Sequence, residues 1–244
     1  MDLDFFRRKN ILVKEKNYSF FGETPGQKSV CAGTLPKFKT LAKLLPNETY
    51  HFFNHANGFE NLFVEKRNYS FFLKRLKKYI LPIAKLYAYC LMPNHFHLVG
   101  AIRTEEELLK AFKINKQISQ NSKILEKLLK KKISKAFANL LSSYAQSFNK
   151  VYKRRGSLFV PSMKKKLIED DDSFCKVVHY VHANPVHHGF VSTMNQWPHS
   201  SYNLFFSSDD SIIEKDYVID LFGGLDEFIK YHLQPVDLRF KTFD

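Results

Sequence analysis

His95 and His97 flank Phe96 in the run Tyr89 to Gly100, Tyr-Cys-Leu-Met-Pro-Asn-His-Phe-His-Leu-Val-Gly. In an extended strand successive side chains point to opposite faces, so the two imidazoles project together while Phe96 and Leu98 turn away. Imidazole is the commonest protein ligand for a divalent transition metal, and two from one strand need one more donor to hold an ion with positions left for substrate. A His-x-His tripeptide also occurs in ordinary strands, so this spacing alone decides nothing. The stretch from Val177 to Gly189 reads Val-Val-His-Tyr-Val-His-Ala-Asn-Pro-Val-His-His-Gly. On a helix Tyr180 and Asn184 are one turn apart on one side, with Lys176 one turn before them. A phenol, a carboxamide and an ammonium then share one stripe. His179, His182, His187 and His188 crowd the same segment, where the ordinary role of each is a surface or hydrogen-bonded histidine.

The elements around these residues follow from periodicity and turn chemistry. Tyr50 to Asn54 reads as a strand. Asn68 reads as the N-cap of a helix to Ile80, with Phe72, Leu73, Leu76, Tyr79 and Ile80 at helical spacing and Pro82 beyond. Ile83 to Leu91 and His95 to Ile102 read as strands, and Met92-Pro93-Asn94 between them is short enough to make only an antiparallel hairpin. Thr104 to Glu107 forms a capping box for a helix to about Ile118. After a break at Ser119 to Ser122, a second helix begins near Ile133 and places Phe137, Leu140, Leu141, Tyr144, Phe148 and Val151 on one stripe. Ser157 to Ile168 reads as a strand, and Ser173 to about Ala183 as a helix that Pro185 stops. This order predicts an α+β fold, with helices on one face of a mainly antiparallel sheet. Residues 1–46 read as an irregular extension, 47–205 as the domain, and 206–244 as an acidic helical appendage.

Composition narrows the partner. The 244 residues are 44% apolar and 25% charged, a globular balance. Lys and Arg outnumber Asp and Glu by 38 to 24, giving +14, which favours a polyanion such as nucleic acid or an anionic membrane surface. The charge is uneven, with +9 over residues 1–100, +13 over 101–166 and −8 over 167–244. Cys31, Cys90 and Cys175 form no paired framework and suit a reducing compartment. No stretch has the roughly 18 uninterrupted apolar residues of a span, and the first residues lack the layout of a signal peptide. A cytoplasmic protein with no membrane partner is therefore expected.

Leu91-Met-Pro-Asn-His-Phe-His-Leu98, Tyr180-x-x-x-Asn-Pro-Val-x-x-Gly189 and Trp197-Pro-x-Ser-Ser-Tyr202 together resemble the single-tyrosine HUH transposases, and within them the REP-associated tyrosine transposase branch. Phe148-Asn-x-x-Tyr152-x-Arg-Arg-Gly-Ser-Leu-Phe159 is similar to the segment before the last strand of that group, and the likeness covers about residues 47–205. The resemblance implies a ferredoxin-like or RRM-like sandwich with the HUH strand central and the tyrosine on a helix beside it. His95 and His97 match the HUH pair, Tyr180 the nucleophile, and Asn184 the third ligand of a Mg²⁺ or Mn²⁺ ion. The donor types themselves would also admit Zn²⁺. The implied activity is a metal-dependent, single-strand-specific DNA endonuclease and strand transferase that cleaves hairpin-forming repeat DNA through a covalent 5′-phosphotyrosine, as a monomer or homodimer.

Other residues fill supporting or rival roles. Lys176 is a candidate electrostatic helper for the phenol. Arg154, Arg155, Lys164, Lys165 and Lys166 are candidate phosphate contacts, which give affinity without reading sequence. Asn184 precedes Pro185, which biases it away from helical geometry and leaves helix capping as its other role. Tyr144 and Tyr152 are rival nucleophiles, against which Tyr144 on the apolar stripe reads as core and Tyr152 beside Lys153, Arg154 and Arg155 as a DNA contact, and Trp197 reads as packing under the Pro198 turn. A different class of function is a nucleic-acid-binding protein whose catalytic set is idle.

Overall fold

The hairpin that carries His95 and His97 lies inside a four-stranded antiparallel sheet in the order β2-β3-β1-β4. The computed structural model describes residues 44–114, 122–208 and 211–237. The elements are β1 Thr49–His55, α1 Lys66–Tyr79, β2 Ala84–Leu91, β3 His95–Ile102, α2 Glu105–Phe112, α3 Ser122–Val151, β4 Lys164–Ile168, α4 Asp171–His187, α5 Lys215–Phe222 and α6 Leu225–His232. Strand, helix, hairpin, helices and strand in this spatial order make the expected ferredoxin-like sandwich, with the HUH strand β3 internal. The first 43 residues of the expected extension, and all of the Ser119 to Ser122 break except Ser122, lie outside the described residues.

Alternation along the strands separates the two faces. Phe52 packs on Phe137 of α3 (ring centroids 4.7 Å apart) and Phe96 on Phe72 of α1 (4.9 Å), so the even-numbered side chains of β1 and β3 face the crossover helices. Tyr144 belongs to this core, where its hydroxyl donates to the Leu62 carbonyl. The odd-numbered side chains, His51, Phe53, His55, His95 and His97, face the other way. On that side α4 packs on β2 and β3, adding a layer beyond the two crossover helices.

Several element ends differ from expectation for local reasons. Asn68 is not the N-cap of α1. It sits at N3, where its Oδ1 accepts from the backbone N–H groups of Val64 and Glu65 while Glu65 caps the helix. The described α2 ends at Phe112, with Lys113 in the left-handed region (φ 53°). α3 starts at Ser122, not near Ile133, because Leu125 and Leu129 extend the buried stripe upstream beneath a lysine-rich outer surface. β4 is shorter than Ser157 to Ile168. Pro161 lacks a ladder donor, Ser162 has φ 68°, and the Asn54 side chain instead donates to the carbonyls of Val160 and Ser162.

α4 continues through Pro185 to His187, where the sequence predicts a stop near Ala183. Proline in a helix interior costs about 3 kcal/mol. Every residue from Ser173 to Pro185 except Lys176 is buried, against the sheet on one side and the C-terminal helices on the other. That burial outweighs the lost hydrogen bond and keeps Asn184 helical.

Residues 211–237 carry α5 and α6, which pack on α4, α5 also on β2, and belong to the same compact unit. Phe228 and Val218 are fully buried. A chain of neutral rings fastens this layer. His232 Nδ1–H donates to the Phe228 carbonyl (2.8 Å), His182 Nδ1–H to His232 Nε2 (2.9 Å), and the Ser201 hydroxyl to His182 Nε2 (2.8 Å). Among the described residues no helix is long and apolar enough to cross a membrane.

Gly100 in β3 allows the close approach of β2 at its bulge between Leu86 and Ala88. A Cβ there would lie 2.4 Å from the Lys85 carbonyl oxygen. Gly100→Ala is therefore expected to lower stability by roughly 1–3 kcal/mol, the usual cost of overpacking. A denaturant midpoint equal to that of the parent chain would contradict this reading.

Candidate metal and tyrosine site

The tip of the HUH hairpin is held before any ligand chemistry begins. Pro93 O accepts from the N–H groups of Leu62 (2.7 Å) and Phe63 (3.0 Å), and Asn94 O accepts from Ala56 N–H (2.7 Å). The start of β3 is thereby fixed to the loop after β1. On the site face, register places Phe53 opposite His97 and His55 opposite His95. The His55 and His95 rings stack at 4.9 Å.

The three expected donors converge. Asn184 Oδ1 lies 2.9 Å from His95 Nε2, and Asn184 Nδ2 lies 3.3 Å from His97 Nε2. All three side chains are at most 2% exposed. Donor atoms bound at about 2.1 Å on adjacent corners of an octahedron are about 3 Å apart, a spacing that Asn184 Oδ1 and His95 Nε2 match, while Asn184 Nδ2–H donates to His97 Nε2. Tyr180 from the same chain stands edge-on to His97, with ring centroids 5.6 Å apart.

Proton accounting points the same way. Burial, followed by the neighbouring His97, pushes the His95 pKa well below its usual value, so the ring is neutral. Its Nδ1 faces Asn94 Oδ1 at 2.8 Å while its Nε2 faces Asn184 Oδ1. A neutral imidazole has one N–H for these two oxygens. If Nδ1 donates to Asn94, the Nε2 lone pair and the Asn184 oxygen point at each other, an arrangement a cation relieves. Among the described residues no group of three or more His, Cys, Asp or Glu side chains forms a metal site. The third side chain that meets the two imidazoles is the amide of Asn184.

Sequence reasoning missed His51. Its Nε2 is 3.0 Å from His97 Nδ1, so a His97 Nδ1–H donated to His51 leaves the His97 Nε2 lone pair directed at Asn184 and His95. Ligating histidines are generally oriented by a partner on the other ring nitrogen. The signal was present, since His51, Phe53 and His55 alternate on one face of the strand that must pair beside the HUH strand. Removing such an outer partner typically costs 10–100-fold in metal affinity or activity. His51→Phe is expected to weaken Mn²⁺ binding by that range in calorimetry, and unchanged affinity would remove His51 from the site.

The remaining candidates divide. Lys164 and Lys166 pair in register with Phe53 and His51 and so share the site face, with Lys164 Nζ 5.9 Å from the Phe53 ring centre. Lys165 pairs with Phe52 and faces the other way. Arg154 closes its own loop, donating to Ser157 O (2.7 Å) and Asn149 Oδ1 (3.1 Å) and pairing with Glu60, whereas Arg155 is exposed. Lys176 Nζ pairs with Asp172 on its own helix. Tyr152 hydrogen-bonds Glu65 and Asn68, joining α3 to the start of α1. Trp197 donates to the Leu91 carbonyl (3.1 Å) and packs on Phe190.

No protein-family model matches the chain. A Haemophilus influenzae protein provisionally named a REP-associated tyrosine transposase is 26% identical over 118 residues, covering 48% of this chain and 57% of that relative. The match thus spans little more than half the relative's length. A solved REP-associated tyrosine transposase bound to a REP hairpin superposes with a TM-score of 0.50 at 12% identity, over 72% of this chain and 93% of that one, a likeness of fold. In sequence and in fold, the chain is similar to the REP-associated tyrosine transposases.

Proposed function

We propose that this chain is a divalent-metal-dependent, single-strand DNA endonuclease and strand transferase that acts on hairpin-forming DNA through Tyr180. The observation that carries the proposal is the convergence of His95, His97 and Asn184 within 3.3 Å beside the Tyr180 ring, in a donor set without a carboxylate. His95, His97 and Asn184 would hold Mg²⁺ or Mn²⁺. A bound ion would polarise the scissile phosphodiester and offset charge in the transition state. Because its protein donors are neutral, they leave the positive charge of the site for the phosphate.

Tyr180 oxygen attacks phosphorus, the bond to the 3′-oxygen breaks, and the products are a 5′-phosphotyrosine and a 3′-hydroxyl. The phenol loses one proton and the leaving oxygen gains one. The phosphotyrosine retains an activated phosphodiester, so a 3′-hydroxyl from the same or another strand can reverse the step. Lys164 and Lys166 on the edge strand would attract the backbone toward the site face.

The test is incubation with a labelled single-stranded hairpin carrying a 5′ extension, with Mn²⁺ or with chelator. A denaturation-resistant protein–DNA adduct and a free 3′-hydroxyl, both dependent on metal, support the proposal. Tight hairpin binding with no adduct at any metal concentration would instead make the chain a nucleic-acid-binding module.

A further inference from the structure

The side of the sheet away from the tyrosine carries a dense cluster of positive charge. α1 has six basic and no acidic residues, and α3 has seven basic and one acidic, together +12 against +14 for the whole chain. The two helices pack against each other on the face lined by Phe52 and Phe96, opposite His95 and His97. Where the end of α1 meets the middle of α3, Lys78, Lys132 and Lys135 border a shallow groove with Tyr79, Phe112 and Asn139. Among the described residues none of these three lysines has an acidic partner.

We infer that this groove is a second DNA surface, one that binds the sugar–phosphate backbone of a duplex separately from the strand engaged at Tyr180. Two features choose this occupant. Lys78 Nζ sits 5.3 Å from the centre of the Tyr79 ring and Lys132 Nζ 5.1 Å from that of Phe112, so the aromatic faces are capped by ammonium groups and do not offer themselves to unpaired bases. The apolar stripe of α3, Leu125, Leu129, Ile133 and Phe137, is buried in the core, which leaves Ile124 and Val151 near its two ends as its exposed large apolar side chains and no continuous apolar face to insert into a lipid surface. Cations without stacking platforms or an apolar face suit a regular polyphosphate read by charge.

The experiment measures binding of the full chain to a 30-base-pair duplex lacking a hairpin, by fluorescence anisotropy across a salt series. The K78Q/K132Q/K135Q chain is expected to bind at least tenfold more weakly near 0.1 M salt, and its slope of log affinity against log salt should be shallower by about 3, since each phosphate contact contributes about 0.9. The K78R/K132R/K135R chain should bind like the parent, and so should His95→Ala with His97→Ala, which separates this surface from the proposed catalytic site. Adduct formation on a short single strand should be the same in parent and K78Q/K132Q/K135Q chains. An unchanged duplex affinity and slope in the glutamine variant overturns the inference, as does loss of binding to phosphatidylserine vesicles with duplex binding intact.

Discussion

Tyr180→Phe is expected to abolish the DNA adduct while leaving hairpin binding and the fold in place. The substitution removes one oxygen and keeps the ring that packs edge-on against His97, so the loss falls on the chemistry. Without the nucleophile the expected decrease is at least 1,000-fold, equivalent to about 4 kcal/mol in the barrier. His95→Ala and His97→Ala should lose the adduct to a similar extent for another reason. Each removes an imidazole from the proposed metal site, and His97→Ala also takes away the ring that His51 faces. The two classes are separable by measuring Mn²⁺ affinity. The tyrosine variant should bind metal like the parent, and the histidine variants should not. Persistence of the adduct in Tyr180→Phe would transfer the nucleophile to another residue and end the proposed mechanism.

Acidification should destabilise the protein progressively from pH 6.5 down to about 4. Burial holds the His179 pKa down at about 4 and that of His232 at about 3, and it holds His182 well below the usual value. In the unfolded chain these rings titrate near 6.5. Between the two values the unfolded state binds more protons, so stability is full above pH 6.5 and falls as pH drops toward 4. Each ring contributes up to about 1.4 kcal/mol per pH unit. The three together approach roughly 4 kcal/mol per unit, a large share of a net stability of about 5–15 kcal/mol. Denaturant midpoints at pH 7.0 and 5.5 check the prediction, and equal midpoints would contradict it. His232→Ala should flatten the dependence, because it removes one of these buried rings and the acceptor for another.

The hairpin around Met92-Pro93-Asn94, both central strands and the helical stripe of Tyr180 and Asn184 were legible because each rests on local rules, namely alternation, turn chemistry and one-turn spacing. Lys164, Lys165 and Lys166 were legible as a basic run, but only strand register turns the first and third to the site face and the second away. Asn68 was legible as a helix-start residue, yet its place at N3 depended on Glu65 three residues earlier.

Sequence alone therefore determined the donor types, the nucleophile candidate and the α+β order of elements, since these follow from residue chemistry and short-range periodicity. Tertiary structure alone decided that α4 runs on through Pro185. The sheet and the C-terminal helices bury it on both sides, and that packing exceeds the local cost of proline. It also decided that His51 stands behind His97, a contact between residues 46 positions apart that only the pairing of β1 with β3 creates.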